Sequence, residues 1–278
     1  MKVNFEGCRN ILKFSRKHEI KRIVLSSSPS TRFPYPDPTV EGLTEDDLFR
    51  INGGDYPAQF HQPYAASKAL GEKEILAACG KEEDDLLTIA VAPHQIYGPR
   101  DRLFLPSLLQ AAGSGWLRVF GDGSIRISMC HVDNYCHGLL LANQALRPGS
   151  PALGKFYIVT DGDCQLFWPA LDQAVTGMGF RSLLSKASVP IWLLFFLAYG
   201  CYFLALLIST VTSVPFHRVD SVLRLNPFTL KMLSVHRSFR IDRARRDLGY
   251  EPVKTFQQGW PETIGWFREN WLPTYQRS

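Results

Sequence analysis

Tyr64 and Lys68 stand four residues apart in Pro63-Tyr64-Ala65-Ala66-Ser67-Lys68-Ala69-Leu70-Gly71-Glu72. On a helix that spacing puts both side chains on one face. A free phenol, with a pKa of about 10, is a poor base at neutral pH. A lysine ammonium close by favours the phenolate and brings a tyrosine into range for proton transfer. The bare pair is common on ordinary helices, so its neighbours matter. Upstream, Ser26-Ser27-Ser28 follows the apolar run Ile23-Val24-Leu25. Taken alone, three serines there read as a turn at a strand end.

The elements that must carry these residues follow from the pattern. Residues 3–18 read as an amphipathic helix with Phe5, Cys8, Ile11, Leu12 and Ser15 on one face. Ile23-Val24-Leu25 reads as a strand buried on both faces of a parallel sheet, and the Pro-rich stretch from Pro29 to Pro38 as loop. A helix is expected from Pro63 to about Cys79, and a buried strand from Leu86 to Val91 that ends at Ala92-Pro93. Then come a helix over Leu105–Ala112, a strand over Leu117–Phe120, a helix over Val132–Leu146 and a strand over Lys155–Val159. Helix and strand in alternation imply βαβ units and an open parallel sheet. After residue 160 the alternation stops.

The chain has 278 residues, 45% of them hydrophobic and 21% charged, with a formal net charge of +5. That is a folded composition with a mild charge. No like-charge block or basic stripe with interleaved aromatics points to nucleic acid. The six cysteines, at 8, 79, 130, 136, 164 and 201, form no Cys-x-x-Cys pair or zinc-finger set. The expectation is no metal site, and free thiols in a reducing compartment. The first residues lack the apolar core of a signal peptide.

One segment is different in kind. No charged residue occurs between Ala187 and Phe216, and Ile191–Ile208 is almost wholly apolar. Eighteen or more such residues are enough to contact or cross a bilayer. Arg181 and Lys186 precede the segment, and Arg218 and Arg224 follow it, so charge does not set an orientation.

The motif around Tyr64 and Lys68, with the Ser-rich strand end, resembles the extended short-chain dehydrogenase/reductases. Further stretches carry the likeness along the chain. Asn4-Phe5-Glu6-Gly7-Cys8-Arg9-Asn10 is similar to the family's Asn-x-x-Gly-Thr-x-Asn helix, and Ala92-Pro93-His94-Gln95-Ile96-Tyr97-Gly98-Pro99-Arg100 to its Arg-Pro-x-x-Ile-Tyr-Gly-Pro strand end. Ala92 stands where Arg is usual. Gly121-Asp122-Gly123, His131-Val132-Asp133-Asn134 and Phe239–Pro252 resemble later signatures. The resemblance implies that Tyr64 shuttles a proton, that Lys68 binds the nicotinamide ribose and tunes Tyr64, and that Ser28 holds the substrate oxygen, with Ser27 as its alternate. Tyr64 and Ser27 would also contact the cofactor, NAD or NADP, and Pro93 and its neighbours would face its nicotinamide.

Within that superfamily, the apolar segment is similar to the membrane-associated 3β-hydroxysteroid dehydrogenases. The wording around His94 and Arg100-Asp101 looks closest to the decarboxylating sterol-4α-carboxylate 3-dehydrogenases. The resemblance therefore implies a sterol or steroid substrate, oxidised at its 3β-hydroxyl, and a place on the endoplasmic reticulum membrane with the site facing the cytosol. It leaves room for a homodimer. Because Phe239–Pro252 belongs to the globular body in that family, a dipping hairpin or interfacial helix kinked near Gly200 is preferred to a single span.

The implied fold is α/β: a Rossmann-like parallel sheet over residues 1–160, and a mostly helical substrate lobe over 161–278 with a membrane segment at 189–214. The family's Gly-rich pyrophosphate turn is not found before residue 20, so the sheet is expected to be N-terminally truncated. Gly113-Ser114-Gly115 follows a helix and cannot replace that turn. A non-catalytic membrane-bound relative that binds a partner or lipid is the alternative, and a sugar-nucleotide epimerase a third reading that the apolar segment disfavours.

Overall fold

The computed structural model describes residues 2–32, 41–48, 63–82, 84–212, 227, 230 and 234–276. Residues 33–40, in the Pro-rich stretch, and the basic flank Arg218 and Arg224 lie outside them. The described residues fall into two compact units. One comprises Met1–Pro106, Ile127–Gln165 and Arg237–Ser278; the other comprises Ser107–Arg126 and Leu166–His236.

The first unit is built on a parallel sheet of β1 (Arg22–Ser26), β2 (Leu87–Pro93) and β6 (Phe156–Val159), in the order β1-β2-β6. Register pairs Ser26 with Val91 and Pro93 with Val159. Period-two alternation along β2 separates two cores. Leu87, Ile89 and Val91 point to the face packed by Ala142 of α4 (Val132–Ala145), by Leu146 just after it, and by Ala244 and Leu248 of α7 (Asp242–Leu248). Ala90 and Ala92 point to the other face, with Phe156, Ile158, Phe239 and Leu76 of α2 (Pro63–Ala77). Every residue of β2 is buried. β1 is not: Ile23, Val24 and Leu25 are half-buried, because among the described residues the strand is paired along one edge alone.

The N-terminal segment is a π-helical turn (Lys2–Glu6) running into α1 (Gly7–Lys17). It packs on α2 through Gly71. A Cβ there would lie 2.3 Å from the Asn4 carbonyl oxygen and 2.8 Å from the Cys8 sulfur, so only glycine allows this approach.

Short pairings complete the unit. β3 (Ile96–Tyr97) runs parallel to β5 (Cys130–His131), and β4 (Arg126–Ser128) joins β7 (Cys164–Leu166). Such two- and three-residue strands have too few positions to show periodicity in sequence. The C-terminal stretch adds α8 (Phe256–Asn270) and α9 (Leu272–Tyr275).

The second unit takes in most of α3 (Phe104–Gly113) and all of α5 (Phe167–Gly177). Phe120 and Phe167 each set a ring edge-on to Trp168. The strand expected over Leu117–Phe120 is instead an extended segment with a single parallel bridge, Phe120 to Val189. One bridge is enough to pin the chain without forming a ladder. α6 (Ile191–Thr212) is one unbroken 22-residue helix that runs through Gly200, so the segment is not a hairpin. It is long and apolar enough to cross a membrane, and only its Ala198 and Ala205 are buried.

Candidate active site

The C-terminal ends of β1 and β2 lie side by side, and α2 brings its chemistry to them. The Lys68 ammonium donates to the Ser26 carbonyl oxygen at 3.2 Å, reaching the end of β1. One turn earlier on α2, Tyr64 is 54% exposed, with the Lys68 nitrogen 6.0 Å from its ring centre. α2 is held in this setting by Ser67, which accepts from Asn4 at 3.0 Å and donates to the Tyr64 carbonyl at 2.9 Å.

The serine run divides its tasks. The Ser26 hydroxyl accepts from the Tyr135 hydroxyl of α4 at 2.5 Å. Burial holds the Tyr135 phenol above its ordinary pKa, which keeps it a donor. The Ser27 backbone N–H donates to the Val91 carbonyl at 2.8 Å, and its hydroxyl donates to the Glu72 carboxylate. Ser28 begins the Pro29–Thr31 turn, its hydroxyl accepting from the Ser30 N–H at 3.3 Å and the Ser30 hydroxyl at 3.0 Å. Pro93 closes β2, buried, two residues beyond the Val91 that pairs with Ser26.

Glu72 is the residue that sequence reasoning left without a role. Besides Ser27, it accepts from Thr31 at 3.0 Å and from both Nε and Nη2 of Arg32, at 2.8 and 2.6 Å. Its side chain is 1% exposed. Arg32 in turn lies over the Phe156 ring, 4.1 Å from the centroid. A signal for Glu72 was present: Tyr64, Lys68 and Glu72 repeat every four residues and so share one helix face.

A second polar cluster secures the ends of β3 and β5. Asp161 accepts from the Tyr97 hydroxyl, the His131 N–H and the Asn134 amide, each at 2.7 Å. Asn134 also exchanges hydrogen bonds with the Lys254 backbone. Burial raises the Asp161 pKa, and these donors counter it. His94, next to Pro93, donates from Nδ1 to the Ser128 carbonyl at 2.6 Å and sits 4.8 Å from the Phe239 ring. Burial first, and the Arg237 charge second, lower its pKa to about 3, so the ring is neutral. Among the described residues no group of three His, Cys, Asp or Glu could hold a metal.

The arrangement sets a lysine ammonium at the C-terminal end of β1, with the exposed Tyr64 one turn away on α2. The comparisons with known proteins agree in kind. Residues 1–183 match the model of the 3-beta hydroxysteroid dehydrogenase/isomerase family. The chain is 33% identical to the Arabidopsis thaliana 3beta-hydroxysteroid-dehydrogenase/decarboxylase isoform 1, over 95% of this chain and 57% of that protein. It is 30% identical to the human sterol-4-alpha-carboxylate 3-dehydrogenase, decarboxylating, over 96% of this chain and 67% of that one. The chain spans about half the length of the Arabidopsis relatives it matches. In fold it is similar to a dTDP-glucose 4,6-dehydratase from Streptomyces venezuelae solved with NAD bound, with a TM-score of 0.63 at 20% identity, covering 99% of this chain and 69% of that one. The Rossmann-like parallel sheet and the sequence signatures therefore converge, and the chain belongs to the 3-beta hydroxysteroid dehydrogenase/isomerase family.

Proposed function

We propose that this chain oxidises the 3β-hydroxyl of a sterol or steroid, with NAD or NADP as hydride acceptor and with loss of the C4 carboxyl where the substrate carries one. The observation that carries the reading is the Lys68–Ser26 hydrogen bond, which brings the Tyr64/Lys68 pair to the open end of a parallel sheet. That is where α/β proteins of this architecture bind nucleotides. The residues fit the nicotinamide-ribose half of the cofactor: a lysine ammonium at the strand end and a buried Pro93 beside it. Names of relatives with dehydrogenase and decarboxylase activity, and an NAD-bound structural neighbour, support the same reading.

When bound, the nicotinamide supplies the hydride acceptor. Tyr64 takes the hydroxyl proton as the carbinol C–H bond gives up its electron pair, and a ketone forms. Lys68 would hold the ribose and stabilise the tyrosyl anion, and Ser28 would fix the substrate oxygen, since the buried Ser27 hydroxyl is already given to Glu72. Ketone formation at C3 turns a C4 carboxylate into a β-keto acid, which loses carbon dioxide without a dedicated residue.

α6 anchors the chain to the endoplasmic reticulum membrane, with the site facing the cytosol. A single crossing is disfavoured because the first unit contains residues from both sides of α6 in the chain. The intervening residues 213–236 include Arg218, Asp220, Arg224 and Lys231, which is too charged for a return span. The helix therefore lies in one leaflet.

The test is NAD(P)H formation by the full chain in detergent, with 3β-hydroxysterols bearing or lacking a 4α-carboxyl. Reduction of cofactor with a sterol, and carbon dioxide release from the carboxylated one, is expected. Turnover of a nucleotide sugar with no turnover of any sterol overturns the reading.

A further inference from the structure

The second unit carries a cleft of about 610 Å³ that the proposed reaction does not use. It is lined by Gly113, Gly115 and Gly179 together with Arg118, Arg181 and Lys186. Gly115 and Gly179 have φ of +79° and +78°, and a Cβ at either would meet nothing within 4 Å. Glycine thus sets the turn while leaving the cleft open. All three cations line it, and burial first, with the Arg118 and Arg181 charges after it, disfavours the charged form of Lys186. The acid that acts on Lys186, Asp172, already accepts from the Leu183 N–H at 2.6 Å and from the Ser182 hydroxyl at 3.1 Å.

Two neighbours of the cleft are apolar and open to solvent. Trp116, between Gly115 and Arg118, is 86% exposed, and Leu184 is 55% exposed. The start of α6 is tied to the same place. The Val189 N–H donates to the Val119 carbonyl at 2.9 Å, and Phe120 bridges to Val189, two residues before α6 begins. On α6 itself Trp192 and Phe196 are 68% and 72% exposed. An exposed Trp pair, a bare apolar helix and a basic cleft beside them have the composition of a membrane–water boundary, where aromatic rings sit at headgroup level and cations meet lipid phosphates.

We propose that this cleft, with Trp116 and Leu184, docks onto a leaflet containing anionic phospholipid, whose phosphate is held by Arg118, Arg181 and Lys186. The proposal rests on the reading that α6 lies in one leaflet, and it adds which lipids the chain prefers. Each basic residue near an anionic surface contributes about a five-fold gain in partitioning.

The experiment is flotation of the full chain with vesicles of phosphatidylcholine alone or mixed with phosphatidylserine. Wild type is expected to float with both and more strongly with the mixture. Arg181→Gln/Lys186→Gln should lose roughly 25-fold in partitioning on the mixed vesicles and little on the neutral ones. Lys13→Gln/Lys17→Gln, which removes equal charge from α1, should lose much less. Trp116→Ala should weaken flotation on both kinds. Equal partitioning of wild type and the Arg181/Lys186 variant on mixed vesicles overturns the cleft assignment, as does an equal loss in the α1 variant. Failure of wild type to float with any vesicle overturns the anchor reading instead.

Discussion

The Glu72 carboxylate accepts the Ser27 hydroxyl and so joins α2, which carries Tyr64 and Lys68, to the end of β1. The same carboxylate holds Arg32 and Thr31. One acid therefore ties the helix that would move the proton to the strand end that leads into Ser28, which would hold the substrate oxygen.

Removing that acid should be costly twice over. Glu72→Ala leaves Arg32 without its carboxylate in a pair whose side chains are 15% and 1% exposed. A loss of about 3–5 kcal/mol is expected for a broken buried pair, read as a lower melting temperature in detergent. Glu72→Gln keeps the shape and should retain more stability while lowering kcat. An unchanged melting temperature in Glu72→Ala would show that the pair does not support the fold.

Gly71 sets the contact between α2 and the N-terminal segment. Gly71→Ala drives a methyl to 2.3 Å from the Asn4 carbonyl oxygen, which is backbone and cannot swing aside. Overpacking of this kind costs about 1–3 kcal/mol. Gly265→Ala, on α8 with nothing near its added Cβ, should be neutral or slightly stabilising by comparison. Thermal unfolding of the two variants side by side checks the pair, and equal stability would contradict the close approach.

His94 gives the protein a pH dependence with a definite sign. Its folded pKa of about 3 lies below the ordinary 6.5, so the folded state refuses a proton that the unfolded chain accepts. Its contribution is complete above about pH 6.5 and is lost as pH falls toward 3, at up to about 1.4 kcal/mol per pH unit. Asp161 and Glu45, whose pKa values are raised chiefly by burial, act in the opposite direction. The comparison is therefore wild type against His94→Gln. The variant should lose less stability between pH 7 and pH 5, and identical slopes would contradict a buried neutral ring.

Much of this was legible before the structure. The four-residue spacing of Tyr64 and Lys68 specified one helix face, and the apolar runs at 23–25 and 86–91 specified parallel strands. The spacing extends to Glu72, but its partners Ser27, Thr31 and Arg32 lie about 40 residues upstream, and no local pattern reveals them. α5 was missed, although Phe167, Trp168, Ala170, Leu171, Ala174 and Val175 follow a helical stripe and are all buried. The bridge of Phe120 to Val189 joins segments 69 positions apart, so a strand pattern at 117–120 had nothing adjacent to pair with.

The most direct measurement is turnover of a 3β-hydroxysterol by Tyr64→Phe, followed as NAD(P)H formation, with cofactor binding measured in parallel by calorimetry. If Tyr64 moves the proton, kcat falls by about 100-fold or more while cofactor binding is unchanged. Turnover at the wild-type rate in Tyr64→Phe would contradict the assignment of Tyr64.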